Sequence, residues 1–445
     1  MHSVQIRRRS CTQCDLASTS DSRARRIRPR SDIGRVALSG QSSANTLSTE
    51  SEPRDQPSHG VVPGLDGIRA LAIGVVFGLH LARKYFPGGG SGVDVFFVLS
   101  AFLITSGLLY ELDTKGAIRF SDFYFRRAFR LAPALLLWLP LAVTTAVLAG
   151  AGSQVIRSAI GTVGYVSDFF QVAPGSIATA FDQTWSLAVE EQFYLAWPML
   201  LVGVYALTVR RERGRILVGL LVAGAVATQA ITSSAVTANY FLPTGHIAAL
   251  AAGCVAAGVA ARPMAPWLRT TSASKWSASA AVGICGVYTL LAPSPFLVWA
   301  LLIDVASVLL IFHALVGSHS YVIVVLCSRV VRWIGQRSYG IYLYGLTLIQ
   351  TVPLLVRGIP LHVAAFIDIA VTLLVAEVSF RWVERPVRRA GRHWLRERGL
   401  RRHADAVADA TLDWSAEPAS RRSTSPAMAA RSDGAEPLLP RAADR

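Results

Sequence analysis

Arg69 and His80 stand eleven residues apart in one apolar run that begins near Gly64. On a helix that separation is three turns and ~16 Å of axial rise, which puts both side chains on one face. An imidazole can take or give a proton near neutral pH, and a guanidinium can hold a developing or resident negative charge. Inside an apolar run both are expensive, so they are candidates for function. The competing reading is a histidine bonded to a neighbouring helix for packing alone. The run breaks at Pro87-Gly88-Gly89-Gly90, and a second apolar run follows, led by Asp94.

Three further stretches carry unusual chemistry. Arg126, Arg127 and Arg130 fall three and four residues apart just before another apolar run, the spacing of one basic ridge at a helix entrance. Guanidinium pairs with phosphate in a fork, so such a ridge suits a polyphosphate or nucleotide carrier such as coenzyme A. An ordinary membrane-surface anchor is the alternative. Glu190 and Glu191, with Trp185, Ser186 and Tyr194 around them, read as an outer helix start. Acids there complement a helix dipole, orient an imidazole or accept a proton from a substrate hydroxyl. Ser338, Tyr339, Tyr342 and Tyr344 fall within about two turns and suggest a polar pocket. Glu384, the acid in a basic exit, is expected to pair with a nearby arginine. Cys11 and Cys14 form a lone CxxC, and the remaining cysteines lie in or beside apolar runs, so no metal site is expected.

The elements that must position these residues follow from composition. Of 445 residues 52% are hydrophobic and only 16% charged, against about 25% charged in a soluble domain. The predicted fold is an all-α polytopic membrane protein of about ten transmembrane helices, at roughly 67–82, 92–110, 131–150, 187–207, 215–232, 246–261, 277–292, 296–316, 333–356 and 362–382. The stretch 155–172 reads as re-entrant or interfacial. With this count the inner loops hold Lys115, Arg119, Arg126, Arg127 and Arg130, then Arg210, Arg211, Arg213 and Arg215, then Arg262, Arg269 and Lys275, then Arg329, Arg332 and Arg337. The outer loops hold only Arg83, Lys84, Arg157 and Arg357. That asymmetry predicts both termini in the cytoplasm of a cell-membrane protein. It also accounts for the net charge of +16 without nucleic acid. Residues 1–60 read as a disordered basic tail, 61–390 as the membrane domain and 391–445 as a second basic, mostly disordered tail. No internal repeat of the kind secondary transporters show is visible.

Taken in order, the motifs resemble acyltransferase family 3, the integral-membrane O-acyltransferases of surface polysaccharides, lipids and some antibiotics. The residues that carry the likeness are GLDGIRA with the Arg69–His80 pair, GVDVFFVLSAFLI, the arginine block at 126–133, WSLAVEEQFYLAWP at 185–198, SYGIYL at 338–343 and ERP at 384–386. The resemblance implies acyl-CoA as co-substrate with no bound cofactor. It implies His80 as base or acyl relay, Arg69 as a group that helps place the donor or balances charge, and Glu190 and Glu191 as the acidic motif. Arg126, Arg127 and Arg130 would hold the donor. Asp94, Trp185, Ser186, Tyr194, Ser338, Tyr339 and Tyr342 are the candidates for the acceptor pocket. The sequence departs from the family pattern at Gly345, where a histidine is usual, at Thr244-Gly245-His246, where an arginine is usual, and at Ala101, where a glycine is usual.

The expected function is transfer of an acyl group, acetyl first, from acyl-CoA to a sugar hydroxyl on an envelope glycan, a glycolipid or a glycosylated metabolite. Its partners are then the bilayer, the donor and that acceptor. Two other readings stand beside it: a transporter or flippase of a lipid-linked precursor, and a catalytically idle family member that serves assembly.

Overall fold

The computed structural model describes residues 62–172, 177–207, 219, 221, 240–261, 271–294, 296–316, 320–356, 358 and 360–416. The tail 1–60, the Cys11–Cys14 pair, the expected span 215–232 apart from residues 219 and 221, and the arginines at 210, 211, 213, 215, 262, 269 and 357 lie outside them. The described helices, numbered here in chain order, are α1 (Pro63–Leu81), α2 (Ser91–Lys115), α3 (Phe120–Leu148), α4 (Gln154–Val163), α5 (Ser167–Val172), α6 (Thr184–Leu207), α7 (Ile247–Ala260), α8 (Thr271–Leu291), α9 (Phe296–Val316), α10 (Tyr321–Cys327), α11 (Arg329–Leu355), α12 (Leu361–Ser379) and α13 (Arg385–Ala416). Among the described residues there is no strand.

Among the described residues six stretches are long and apolar enough to cross a membrane: Pro63–Leu81, Ser91–Lys115, Phe120–Leu148, Pro243–Ala260, Val298–Val316 and His362–Arg401. The chain is a multi-pass membrane protein. Helices α6, α8 and α11 have the length of a span but are more polar. Glu190, Glu191 and Gln192 interrupt α6, Ser274, Lys275, Ser277 and Ser279 open α8, and Arg329, Arg332 and Arg337 open α11. The stretch 155–172 forms the two short helices α4 and α5, of ten and six residues, too short to cross.

Helix α1 lies between α2 and α11 and reaches α9 and α10. The contact with α11 is backbone-close, because Gly335 leaves no room for a side chain against Asp66. Helix α2 packs along α7, where Gly253 sits on the Val98 backbone in the small-residue manner of membrane helix pairs. It ends on Gly116, whose φ of 73° supplies the left-handed cap that other residues rarely adopt. Hydrogen bonds tie these layers. Trp197 on α6 donates to Thr105 on α2 at 2.9 Å, and Thr105 donates to Cys254 on α7 at 3.3 Å. Trp138 on α3 donates to Thr347 on α11 at 2.9 Å.

The described chain divides into two compact units, one reaching Val387 and one from Arg388. In the second, His393 lies 3.4 Å from Glu397 one turn on.

Candidate active site

His80 closes the C-terminal end of α1, one turn after Val76. Its Nδ1 lies 2.8 Å from the Val76 carbonyl oxygen, which can only accept, so Nδ1 carries the proton. In the neutral ring the lone pair is then on Nε2. This is the tautomer lock that a general base requires.

That imidazole lines a cavity of ≈ 610 Å³ at the break between α1 and α2. Asp94, Trp185, Tyr240, Tyr342 and Asp182 line it too, along with Arg83 and the backbone of Gly88 and Gly90. The Pro87–Gly90 turn is pinned by the Gly88 N–H, which donates to the Thr289 carbonyl at 3.1 Å. One wall is built around His246. Its Nδ1 meets Asp94 Oδ1 at 2.7 Å, its Nε2 meets the Tyr240 carbonyl at 2.8 Å, and its ring stacks on Trp185 with centroids 5.2 Å apart. Nε2 must donate to a carbonyl. The Asp94–His246 contact therefore holds one shared proton, whichever partner carries it. Opposite, the hydroxyls of Ser186 and Tyr342 are 2.6 Å apart and both reach the Gln183 carbonyl, at 3.2 and 3.0 Å. Asp182, in the turn before α6, takes a 3.3 Å hydrogen bond from Gln171, but burial pushes its carboxyl up to about 6.

A second cluster joins the other end of α1 to α3 and α6. Arg69 pairs with Asp66 at 3.1 Å and lies within electrostatic reach of Arg130 and Glu190. Arg127 Nε meets Glu191 at 3.1 Å, its Nη2 lies 3.9 Å from Glu190, and its guanidinium stands over the Tyr194 ring. Tyr194, only 1% exposed, donates in turn to Glu190. Arg130 makes no ion pair or hydrogen bond among the described residues, although Glu190, Glu191 and Asp66 act on its charge. Tyr342, a cavity residue, also feels Glu190, so the two clusters adjoin along α6 and α11.

The expected residues thus fall in two groups. His80, Asp94, Trp185, Ser186 and Tyr342 meet at the cavity or in its wall. Arg69, Arg127, Arg130, Glu190, Glu191 and Tyr194 meet in the charged cluster. The acids do not stand at a helix start, because α6 begins at Thr184 and places Glu190 nearly two turns in. Nor do the arginines wait at a helix entrance as one ridge. Helix α3 begins at Phe120, so they lie about two turns inside it, and Arg126 turns away to Glu111 on α2 at 3.6 Å. Of the tyrosine-rich stretch only Tyr342 reaches the cavity. Tyr339 and Tyr344 donate to the Leu131 and Ala134 carbonyls of α3, at 3.3 and 3.2 Å, and Ser338 is buried. Glu384 is buried and accepts from Ser379 at 3.3 Å. Two of the three departures from the family pattern have local reasons. His246 takes up the Asp94 carboxylate, and any side chain at Gly345 would meet the Phe77 ring and Thr372. Among the described residues no His, Cys, Asp and Glu gather as a metal site.

Sequence reasoning missed Asp182, Gln183, Gln171, Tyr240, Tyr288 and Asp304. Asp304 is 5% exposed on α9, its Oδ1 lacks a hydrogen-bond partner among the described residues, and it feels the charge of Asp94. The signal for the first two was present. Asp182-Gln183-Thr184 is a polar triplet between Phe181 and Trp185.

The model of acyltransferase family 3, described as an acyltransferase domain, matches residues 62–378. The chain is 31% identical over 358 residues to the peptidoglycan O-acetyltransferase OatA of Listeria monocytogenes, covering 74% of this chain and 56% of that one. It is 32% identical over 356 residues to the "Putative peptidoglycan O-acetyltransferase YrhL" of Bacillus subtilis, covering 75% and 56%. The chain thus spans a little over half the length of the curated relatives it matches. No solved structure matches it.

Proposed function

The chain belongs to acyltransferase family 3, and from that premise we propose that it moves an acetyl group from acetyl-CoA to a sugar hydroxyl of an envelope glycan. The observation that carries the reading is His80, whose Nδ1 is committed to Val76 and whose Nε2 is left to act in a cavity with aromatic and carboxylate walls. Aromatic faces and carboxylates are what a sugar ring and its hydroxyls require. The names of the two bacterial relatives add support for a glycan acceptor.

The step balances within these groups. His80 Nε2 takes the acceptor's hydroxyl proton as that oxygen attacks the thioester carbonyl. The carbon–sulfur bond breaks, and the departing thiolate takes the proton back from the imidazolium. Arg130, the arginine of the charged cluster with no ion pair among the described residues, binds donor phosphate, and Arg127 and Arg69 hold the cluster in shape. Arg126 contributes at its edge. In this reading the chain crosses the cell membrane ten times with both termini in the cytoplasm. The arginine cluster then faces the donor side, and the His80 cavity faces the acceptor.

The test is label transfer from acetyl-CoA in membranes that express the chain, with glycan, lipid and small-molecule fractions separated. Label in the glycan fraction is the expected result. Label confined to lipid or small molecules would displace the glycan acceptor, and none in any fraction would displace acyl transfer.

A further inference from the structure

Two cavity-lining glutamines hold their amides in a fixed sense. Gln183, 3% exposed, sends its amide nitrogen to the Leu343 carbonyl at 3.2 Å and to Thr347 Oγ1 at 2.9 Å. Leu343 can only accept. Thr347 has one hydrogen, directed to the Ala180 and Leu343 carbonyls at 3.1 and 3.3 Å, so toward Gln183 it can only accept as well. The amide cannot turn over, and its Oε1 is left buried with no partner among the described residues. Gln171 repeats the pattern. Its nitrogen faces the Asp182 carboxyl at 3.3 Å, and its Oε1 is likewise buried and unpartnered.

Buried acceptors without donors are rare in folded proteins and call for an explanation. Gln171, Asp182 and Gln183 all line the cavity that His80 lines. We propose that these three residues form the acceptor subsite. Their oxygens receive hydrogen bonds from hydroxyl or amide N–H groups flanking the acylated position and so present one hydroxyl to His80 Nε2. The ligand class is a sugar with donors on the carbons beside the reacting one. This inference rests on the acyl-transfer reading.

The experiment uses full-length protein in membranes with acetyl-CoA and a panel of probes: N-acetylglucosamine oligosaccharides, glucose, glycerol and a long-chain alcohol. Gln171→Met removes an acceptor oxygen outside the Thr347 network, Asp182→Ala removes the carboxyl, and Gln183→Met tests the most buried member. The expected result is that wild type acetylates the sugars. Gln171→Met and Asp182→Ala should then each raise the KM for sugar about tenfold, the worth of one hydrogen bond, with the KM for acetyl-CoA unchanged. Unchanged donor KM also reports that each variant is folded. Sugar acetylation with unaltered sugar KM in both variants overturns the subsite and leaves acyl transfer standing. Acetylation of the long-chain alcohol but of no sugar overturns it too. No acetylation of any probe by wild type overturns the acyl-transfer reading, and the subsite with it.

Discussion

Arg127 and Glu191, sixty-four residues apart in sequence, meet at 3.1 Å with side chains 10% and 16% exposed. A buried pair of this kind is costly to break because the survivor stays charged and desolvated. Arg127→Leu should therefore destabilise the protein by about 3 kcal/mol or more, read as a lower melting temperature in detergent. Adding Glu191→Gln should recover part of that loss. Equal melting of Arg127→Leu and wild type would show the pair to be idle.

Arg130 offers the contrasting case, free of ion pairs among the described residues. Arg130→Ala should leave the melting temperature in place and raise the KM for acetyl-CoA about tenfold or more, the value of a charge-assisted contact to phosphate. Arg126, held by Glu111 and half exposed, should matter least of the three. A change in acceptor KM with donor KM intact would move Arg130 out of the donor site.

The Asp94–His246 pair is a structural demand on the cavity wall. His246→Leu leaves the Asp94 carboxylate without its partner and should cost about 3 kcal/mol, while Asp94→Asn, which keeps an oxygen to meet Nδ1, should cost less. Thermal denaturation of both variants would show the order. The reverse order would contradict this reading of the wall.

Asp182 gives a pH dependence with a definite sign. Its carboxyl rises from an ordinary 3.8 to about 6 on folding, so the folded chain holds that proton more tightly than the unfolded one. The cost of burying it is absent below about pH 4, grows through the window to pH 6, and reaches at most about 3 kcal/mol above it. Asp182→Asn should accordingly raise the melting temperature at pH 7.5 and leave it unaltered at pH 4. His80, Arg83 and Asp94 line the same cavity, so the comparison is made between variant and wild type at each pH. Equal shifts at both pH values would contradict the assignment.

Much of this was legible along the chain. The eleven-residue spacing of Arg69 and His80 on α1, the arginine block and the acidic motif could be read because helical periodicity is local. What escaped depends on contacts between distant segments. No spacing rule links Arg127 to Glu191, or shows that Arg126 leaves its neighbours for Glu111. Helix starts were misjudged where polar residues continue a helix beyond its apolar stretch, as at Phe120 and Thr184, since hydropathy marks the span and not the hydrogen-bonded helix. Gln171 carries no signal of its own, and Gln183 only its place in the polar triplet Asp182-Gln183-Thr184. Their meaning comes from partners on other segments that fix which end of each amide is left over.

The central claim is that His80 is the base, and single-turnover transfer from labelled acetyl-CoA by wild type, His80→Ala and His80→Gln tests it most directly. With equal expression and equal acetyl-CoA affinity, both variants should lose acetyl transfer by 10²- to 10⁴-fold, the contribution of a positioned general base. Transfer within a few-fold of wild type in either variant would contradict that role and return His80 to packing against Val76.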